Sequence, residues 1–298
     1  MIPTIGAPEL RAAVLSALAQ TVQVHEVIVA ADTADELDLP EDPRVTIVRV
    51  GPRAGGNVAR QAGVTRATGE LVALLDDDDA WLPAKLERQL AAVGTNDVSP
   101  WISTCRVIRR AQGSDDLQLP TRAHSPGQGL ADYLFRKETP WSDHGFIQAS
   151  TLLFPRQLAI DVPFDTSLAF HQDISWLLDV FERYPDCALL QVWEPLAIYN
   201  SRPGSVSKRI DPEGSIAWAA GRLGRLDPRI MGDFILTQSL GFARRTGSAR
   251  AMLRVIRRSR QVARPGIAAI AYALLATAKT AVARAPRPVS TSSSSNGA

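Results

Sequence analysis

Along the first hundred residues, short apolar runs alternate with stretches in which apolar residues return every three or four positions. Between Pro8 and Thr21, Leu10, Val14, Leu15 and Leu18 recur at helical spacing behind Pro8, whose fixed φ suits a first turn. The apolar run ending at Asp32 reads as a strand of a parallel sheet, and residues 44–50 as a second. A helix is expected from about Asn57, closed by Gly69 as its C-cap, and residues 70–75 as a third strand. Pro83 opens the next helix, with Leu86, Leu90 and Val93 on one face. This alternation predicts a parallel sheet with right-handed crossovers, in which ligands bind beyond the carboxyl ends of the strands. Asp32 and Asp76–Asp79 stand at that edge.

From about Ser99 the pattern changes. Residues 101–110 read as a strand, 127–135 as a short helix and 146–154 as a strand. A helix over 172–184 has Ile174, Leu177, Leu178 and Phe181 inward, and two further strands follow at 187–193 and 196–199. The stretch 200–209, with Gly204 and three serines, reads as a mobile loop. Residues 211–284 are helical and rich in arginine. Their last helix places Ile267, Ile270 or Ala271, Leu274 and Ala278 on one face. Lys279 interrupts it after 13 uncharged residues from Gly266, too short and too alanine-rich for a membrane span. A packing helix is the first reading and an interfacial membrane helix the second. Residues 285–298 form a serine-rich tail that is expected to be disordered.

Composition adds that the chain is globular: 298 residues are 45% hydrophobic and 21% charged, enough for one large domain or two small ones. Cys105 and Cys187 sit in no metal-binding or redox spacing, so reduced core thiols of a cytosolic protein are expected. The opening Met1-Ile2-Pro3-Thr4 has no signal-peptide pattern. The net charge of +2 hides a segregation: residues 1–205 carry 17 Lys/Arg and 27 Asp/Glu, and residues 206–298 carry 16 and 4. The C-terminal third is therefore a candidate surface for acidic partners, anionic lipid or nucleic acid, against the alternative that its arginines simply keep helices soluble.

Four adjacent carboxylates at the end of a buried strand repel one another. They form either a solvated acidic turn, with Asp79 near a helix N-terminus, or a seat for a divalent cation and a diphosphate. An EF-hand is excluded, because the run lacks acids at alternate positions and the glycine such a loop needs.

The stretch from Gly55 to Gln89 resembles the core of the family 2 glycosyltransferases. The matching residues are Ala59-Arg60, Gly63, Ala67, Gly69-Glu70, Asp76–Asp79, Trp81, Pro83 and Lys85-Leu86, and residues 2–21 resemble the family's first segment. The resemblance covers about residues 2–205. It implies a GT-A type α/β fold: a mixed, mostly parallel sheet flanked by helices, here with a helical C-terminal extension. The implied organisation is a nucleotide-sugar-binding half (1–98), an acceptor half (99–210), a basic helical extension (211–284) and the tail (285–298). It also implies inverting transfer from a UDP-, GDP- or dTDP-sugar to a hydroxyl acceptor on a sugar or glycolipid, helped by Mg²⁺ or Mn²⁺. By resemblance, Pro3, Thr4, Asp32, Asn57, Arg60, Asp77 and Arg202 are donor-binding candidates, with Asp32 on the base and Asp77 near the ribose. Asp78 is the metal-ligand candidate, supported by Asp76 and Asp79, either of which could take its place because a run of four leaves the register open by one.

The general base the family places at a helix start falls on Asp173, with Asp179 a weaker candidate. The competing role for Asp173 is a first-turn acid that favours its helix. Arg202 and Lys208, in the 200–209 loop, have the reach to meet the diphosphate, or belong to a solvated basic loop. Trp141 and His144 are candidates for the acceptor pocket, with a structural tryptophan an equal reading. Nucleic acid is not an expected partner. An anionic membrane surface is the candidate for the basic C-terminal region, which would place the protein in the cytoplasm, peripheral on the inner face of the plasma membrane.

Three departures stand out. Met1-Ile2 is all that precedes Pro3-Thr4 where the family has an apolar strand, so either the start codon is assigned too late or the sheet lacks most of a strand. Asp32 is the lone carboxylate where the family has two. Gln172 replaces the glutamate beside the base, which leaves Asp173 without a like-charged neighbour and lowers its pKa relative to the paired case. Two rival functions remain in view. A nucleotidyltransferase would carry a Gly-x-Gly-Thr-Arg loop, which Thr4-Ile5-Gly6-Ala7 is not. A catalytically degenerate scaffold would bind nucleotide without metal dependence.

Overall fold

The computed structural model describes residues 1–94, 100–142, 145–201 and 210–283. The chain forms two compact units, residues 1–136 with 143–209, and residues 137–142 with 210 onward.

In the first unit, β1 (Ile2–Thr4), β2 (Val27–Ala31) and β3 (Val45–Arg49) pair in parallel in that order. β2 is buried along its whole length, as an uninterrupted Val/Ile/Ala run requires, having no polar face to give to water. Helix α1 (Leu10–Leu18) buries Leu10, Ala13, Val14 and Ala17 and leaves Leu15 exposed. Its inward stripe is thus turned from the expected one toward two alanines, which allow close approach. Helix α2 (Gly56–Arg66) has Ala67, not Gly69, as its C-cap. The Glu26 carboxylate accepts from the Thr68 and Gly69 N–H groups at 2.7 and 3.2 Å, so no left-handed glycine is needed there.

Beyond α2, β4 (Leu71–Ala73) leads to the aspartates, and β5 (Ala80–Trp81) and α3 (Lys85–Val93) follow. The Met1 amine donates to the Ala73 carbonyl at 2.8 Å and Leu75 N–H to the Met1 carbonyl at 3.1 Å, so the chain after β4 runs beside β1. Next come β6 (Trp101–Ala111), β7 (Leu117–Leu119), α4 (Leu130–Phe135), β8 (Leu153–Pro155), α5 (Arg156–Asp161), α6 (Gln172–Arg183) and β9 (Ala188–Ser201). The second sheet has the order β4-β8-β6-β9-β5, with β7 on β6. Its β6–β9 pair is parallel and its other pairs are antiparallel, so the sheet is mixed.

Three expectations change here. Residues 146–154 are not one strand: Gln148 caps a 3₁₀ turn, Ala149–Thr151, and only the end of the run pairs. The two strands expected after α6 are one, β9, with a bulge against β6. Trp193 and Glu194 lie in that bulge and Pro195 at its edge, which is where a residue without an N–H fits in a strand. On α6 the buried residues are Ser175, Trp176, Leu177, Leu178 and Val180, while Ile174 and Phe181 are only half-buried.

The second unit is helical: α7 (Pro212–Arg222), α8 (Pro228–Phe234), a π-helical turn over Ile235–Ser239, α9 (Leu240–Arg245), α10 (Ala249–Val262) and α11 (Ile267–Ala283). Asp211, Asp227 and Ser248 each cap a helix through the side chain, and proline follows the first two, a pattern readable in the sequence. Buried Asp233 accepts from Gly266 N–H at 2.7 Å and from Lys137 N–H at 3.1 Å, which ties the start of α11 to α8. A Cβ at Gly232 would lie 2.5 Å from the Pro265 nitrogen, so the approach of α8 to that turn requires glycine. On α11 the buried residues are Ala269, Ala273 and Thr277, and Leu274 is exposed. The inward face is the small-residue one, opposite to the expected face.

Candidate active site

The carboxyl ends of β1 and β2 and the turn after β4 bring Thr4, Asp32 and the four aspartates to one edge. Thr4 Oγ1 donates to Asp77 Oδ2 at 2.5 Å. Asp79 is buried and held from three sides: Ser150 Oγ and Gln148 Nε2 each donate to its Oδ2 at 2.7 Å, and Asn200 N–H donates to its Oδ1 at 2.9 Å. Asn200 also donates through Nδ2 to the Asp78 carbonyl at 2.6 Å, so β9 fixes the backbone of the acidic turn. Asp76 accepts from Gln148 Nε2 at 3.0 Å and forms an ion pair with Arg60 Nη2 at 2.9 Å. The other end of the Arg60 guanidinium reaches Gln172 Oε1 at 2.6 Å. A Cβ at Gly56 would stand 2.7 Å from that same oxygen, so any larger residue there would displace the Gln172 amide from its present position.

Asp173 follows Gln172 in the first turn of α6. Its Oδ2 accepts from Ala149 N–H at 3.2 Å and its Oδ1 from Ile174 N–H at 2.9 Å. Desolvation pushes its pKa up, Arg60 opposes the shift and Asp76 adds to it. Gln172 adds no like charge beside Asp173, and burial dominates, so the shift is upward. His171, immediately before this turn, takes a left-handed backbone conformation (φ 55°), rare outside glycine and asparagine. The strain sits where the chain turns to present Gln172 and Asp173.

Asp79 has its pKa pushed up to about 8, first by burial, then by the charges of Asp76 and Asp78. The folded value lies above the unfolded one, so the bound proton stabilises the fold fully below about pH 4, and this contribution fades as pH rises through about 8. The Met1 amine, lowered to about 5 by burial, acts with the opposite sign over part of that window, so the comparison must be differential. In chelator, wild type is expected to lose about 1–3 kcal/mol relative to Asp79→Asn between pH 5 and 9, read from urea midpoints. Added Mn²⁺ at pH 8 is expected to narrow the gap.

The other candidates are placed as follows. Asp32 is buried and accepts from Ala54 and Gly55 N–H at 2.6 and 2.8 Å, so it shapes the glycine turn after β3. Buried Asn57 donates to the Asp165 carbonyl at 2.7 Å and faces the interior. Pro3 is buried in β1. Asp179 is half-buried on α6. Trp141 is exposed and belongs to the second unit. Arg202, Lys208, His144 and the tail 285–298 lie outside the described residues. Among the described residues no group of three or more His, Cys, Asp or Glu could hold a metal by itself.

Sequence reasoning missed Gln148, Ser150 and Asn200. The signal was there: Gln148 and Ser150 are polar residues inside an otherwise apolar run, where they must find partners. Lys85, part of the matching pattern but given no role there, is fully buried, donates to Gln89 Oε1 at 2.7 Å and lies 4.3 Å over the Trp81 ring, its pKa lowered to about 8 by burial.

Residues 1–148 match the family model described as Glycosyl transferase family 2. The chain is 28% identical over 234 residues to the amylovoran biosynthesis glycosyltransferase AmsB of Erwinia amylovora, covering 73% of this chain and 75% of that protein. It is 28% identical over 212 residues to the succinoglycan biosynthesis protein ExoO of Rhizobium meliloti, covering 66% of this chain and 58% of that protein. Among solved structures, S. aureus TarS 1-349 in complex with UDP-GlcNAc is similar with a TM-score of 0.53 at 14% identity, covering 96% of this chain and 92% of that one. At that identity the likeness is one of fold, the GT-A type.

Proposed function

The chain belongs to the family 2 glycosyltransferases, and on that premise we propose an inverting transfer of a sugar from a nucleoside-diphosphate donor to a hydroxyl acceptor. The observation that carries this reading is the convergence of Asp76, Asp77 and Asp79 with Arg60, Gln148 and Asp173 beyond the strand ends. The relatives are named for amylovoran and succinoglycan biosynthesis, which supports a role in assembling a surface polysaccharide or a membrane-carried glycolipid. The TarS complex favours UDP among UDP, GDP and dTDP as the donor nucleotide.

Each side chain has a separable task. Asp173 takes the proton of the acceptor hydroxyl as its oxygen attacks the anomeric carbon, and the bond from that carbon to the diphosphate oxygen breaks on the opposite face. Asp77, already fixed by Thr4, faces the donor ribose. Arg60 acts as a positioning residue, holding Asp76 with one amino group and Gln172, next to the base, with the other. Asp78 is the residue that would hold Mg²⁺ or Mn²⁺. The acidic turn fits a cation held by one or two carboxylates and the substrate diphosphate, and does not fit an all-protein cage. The charges of Asp76 and Asp78, which add to the burial that raises Asp79, are the negative charge such an ion would offset. When bound, the ion supplies charge neutralisation to the departing diphosphate.

A screen of UDP-, GDP- and dTDP-sugars for hydrolysis tests the reading. One nucleotide class is expected to be turned over only with Mn²⁺ or Mg²⁺. Turnover of none, together with nucleotide binding indifferent to metal, would favour a scaffold.

A further inference from the structure

Helix α11 buries small side chains, leaves Ile270 and Tyr272 half-buried, and turns Ile267, Leu274, Leu275 and Val282 outward. Against α8, α9, α10 and the π-helical turn it buries Ala269, Ala273 and Thr277. At about 100° per residue, Ile267, Ala271, Leu274, Leu275, Ala278 and Val282 fall within an arc of roughly 100° on the opposite side. Ile267 is 85% exposed, Val282 75%, Leu274 50% and Leu275 48%. An apolar stripe about 25 Å long in water is costly unless something covers it. No described helix is long and apolar enough to cross a membrane.

Charge identifies the cover. No acidic residue occurs between Phe234 and the end of the chain, while 11 Lys/Arg do. Arg250, Arg254, Arg257, Arg258 and Arg260 are exposed on α10, which packs against α11, and Lys279 is exposed on α11 beside the apolar arc. A second copy seated face to face on this stripe would bring two such basic helices together and be opposed by like charge. An anionic bilayer surface answers both features, taking Ile, Leu and Val below the headgroups and the arginines among the lipid phosphates.

We propose that the outer face of α11, flanked by the arginines of α10, lies on an anionic membrane surface. It deepens, and for its purpose rests on, the reading of an acceptor carried on a membrane. Lipid binding is nevertheless read without any transfer.

The test is flotation of the full chain with phosphatidylcholine vesicles, with and without phosphatidylglycerol. Binding is expected to be on the order of tenfold or more tighter with the anionic lipid and to weaken with salt. Leu274→Glu with Leu275→Glu is expected to reduce it at least about tenfold while the urea midpoint and donor hydrolysis stay at wild-type values. Ile267→Asn with Val282→Asn, at the most exposed positions, serves if the first variant folds poorly. Equal binding to neutral vesicles, no binding, binding unchanged in both variants, or a dimer abolished by the same substitutions would each overturn the proposal. Loss of hydrolysis with flotation intact would instead count against the transferase reading.

Discussion

Asp173→Asn is expected to lower transfer by roughly a hundred- to ten-thousandfold while donor affinity stays within about threefold. The asparagine oxygen can still accept from Ala149 N–H, which keeps the contact to that turn, while the acceptor for Ile174 N–H is lost and the side chain can no longer take a proton. Because desolvation raises the Asp173 pKa, the wild-type rate should fall as pH drops through a value above the ordinary carboxylate range near 4, the ionised form being the active base. That acidic limb should vanish from the residual rate of the variant. A merely structural acid at this helix start would give a different result: lower stability, an unchanged pH profile and a modest rate loss. Transfer surviving at wild-type level would remove the assignment.

The largest loss of stability is expected from Trp176→Ala. Trp176, buried on α6 one turn beyond Asp173, stacks on Phe164 with ring centroids 4.9 Å apart and meets Phe154 at 4.5 Å. Its Nε1–H donates to the Val162 carbonyl at 2.8 Å in the interior. Removing the indole leaves a cavity between the two phenyl rings and a buried acceptor without its partner. Together these should cost about 3–5 kcal/mol, read as a shift of the urea midpoint. Trp176→Phe keeps most of the packing and loses only the hydrogen bond, so about 1–2 kcal/mol is expected. Because α6 also presents Gln172 and Asp173, the alanine variant should lose activity beyond what its unfolded fraction explains. An alanine cost under about 1 kcal/mol would show that the stack does not anchor α6.

Much of this architecture is legible in the sequence because burial on both faces leaves a simple trace. The run Val27–Ala31 is apolar enough to read directly as a strand, and in β6 the β-branched and aromatic residues carry the signal although Ser103 and Thr104 are buried among them. The acidic turn and the candidate base Asp173 are marked in the sequence by the family pattern alone. Their partners were not, because Gln148, Ser150 and Asn200 act across 69 to 121 residues of chain and no local period marks such a contact. The face of α11 was misread for a related reason. Apolar side chains were assumed to point inward, whereas a small-residue face packs more closely and leaves leucine and isoleucine outside. In β9 the proline at 195 looked like a strand end, and a bulge absorbs it.

The claim that the aspartate turn seats a cation with a diphosphate is tested most directly by calorimetric titration of UDP, GDP and dTDP into wild type and Asp78→Ala, each with and without Mn²⁺. One nucleotide is expected to bind wild type at least about tenfold more tightly with Mn²⁺, and that gain should vanish in Asp78→Ala. Binding of every nucleotide that is indifferent both to Mn²⁺ and to the loss of Asp78 would contradict it.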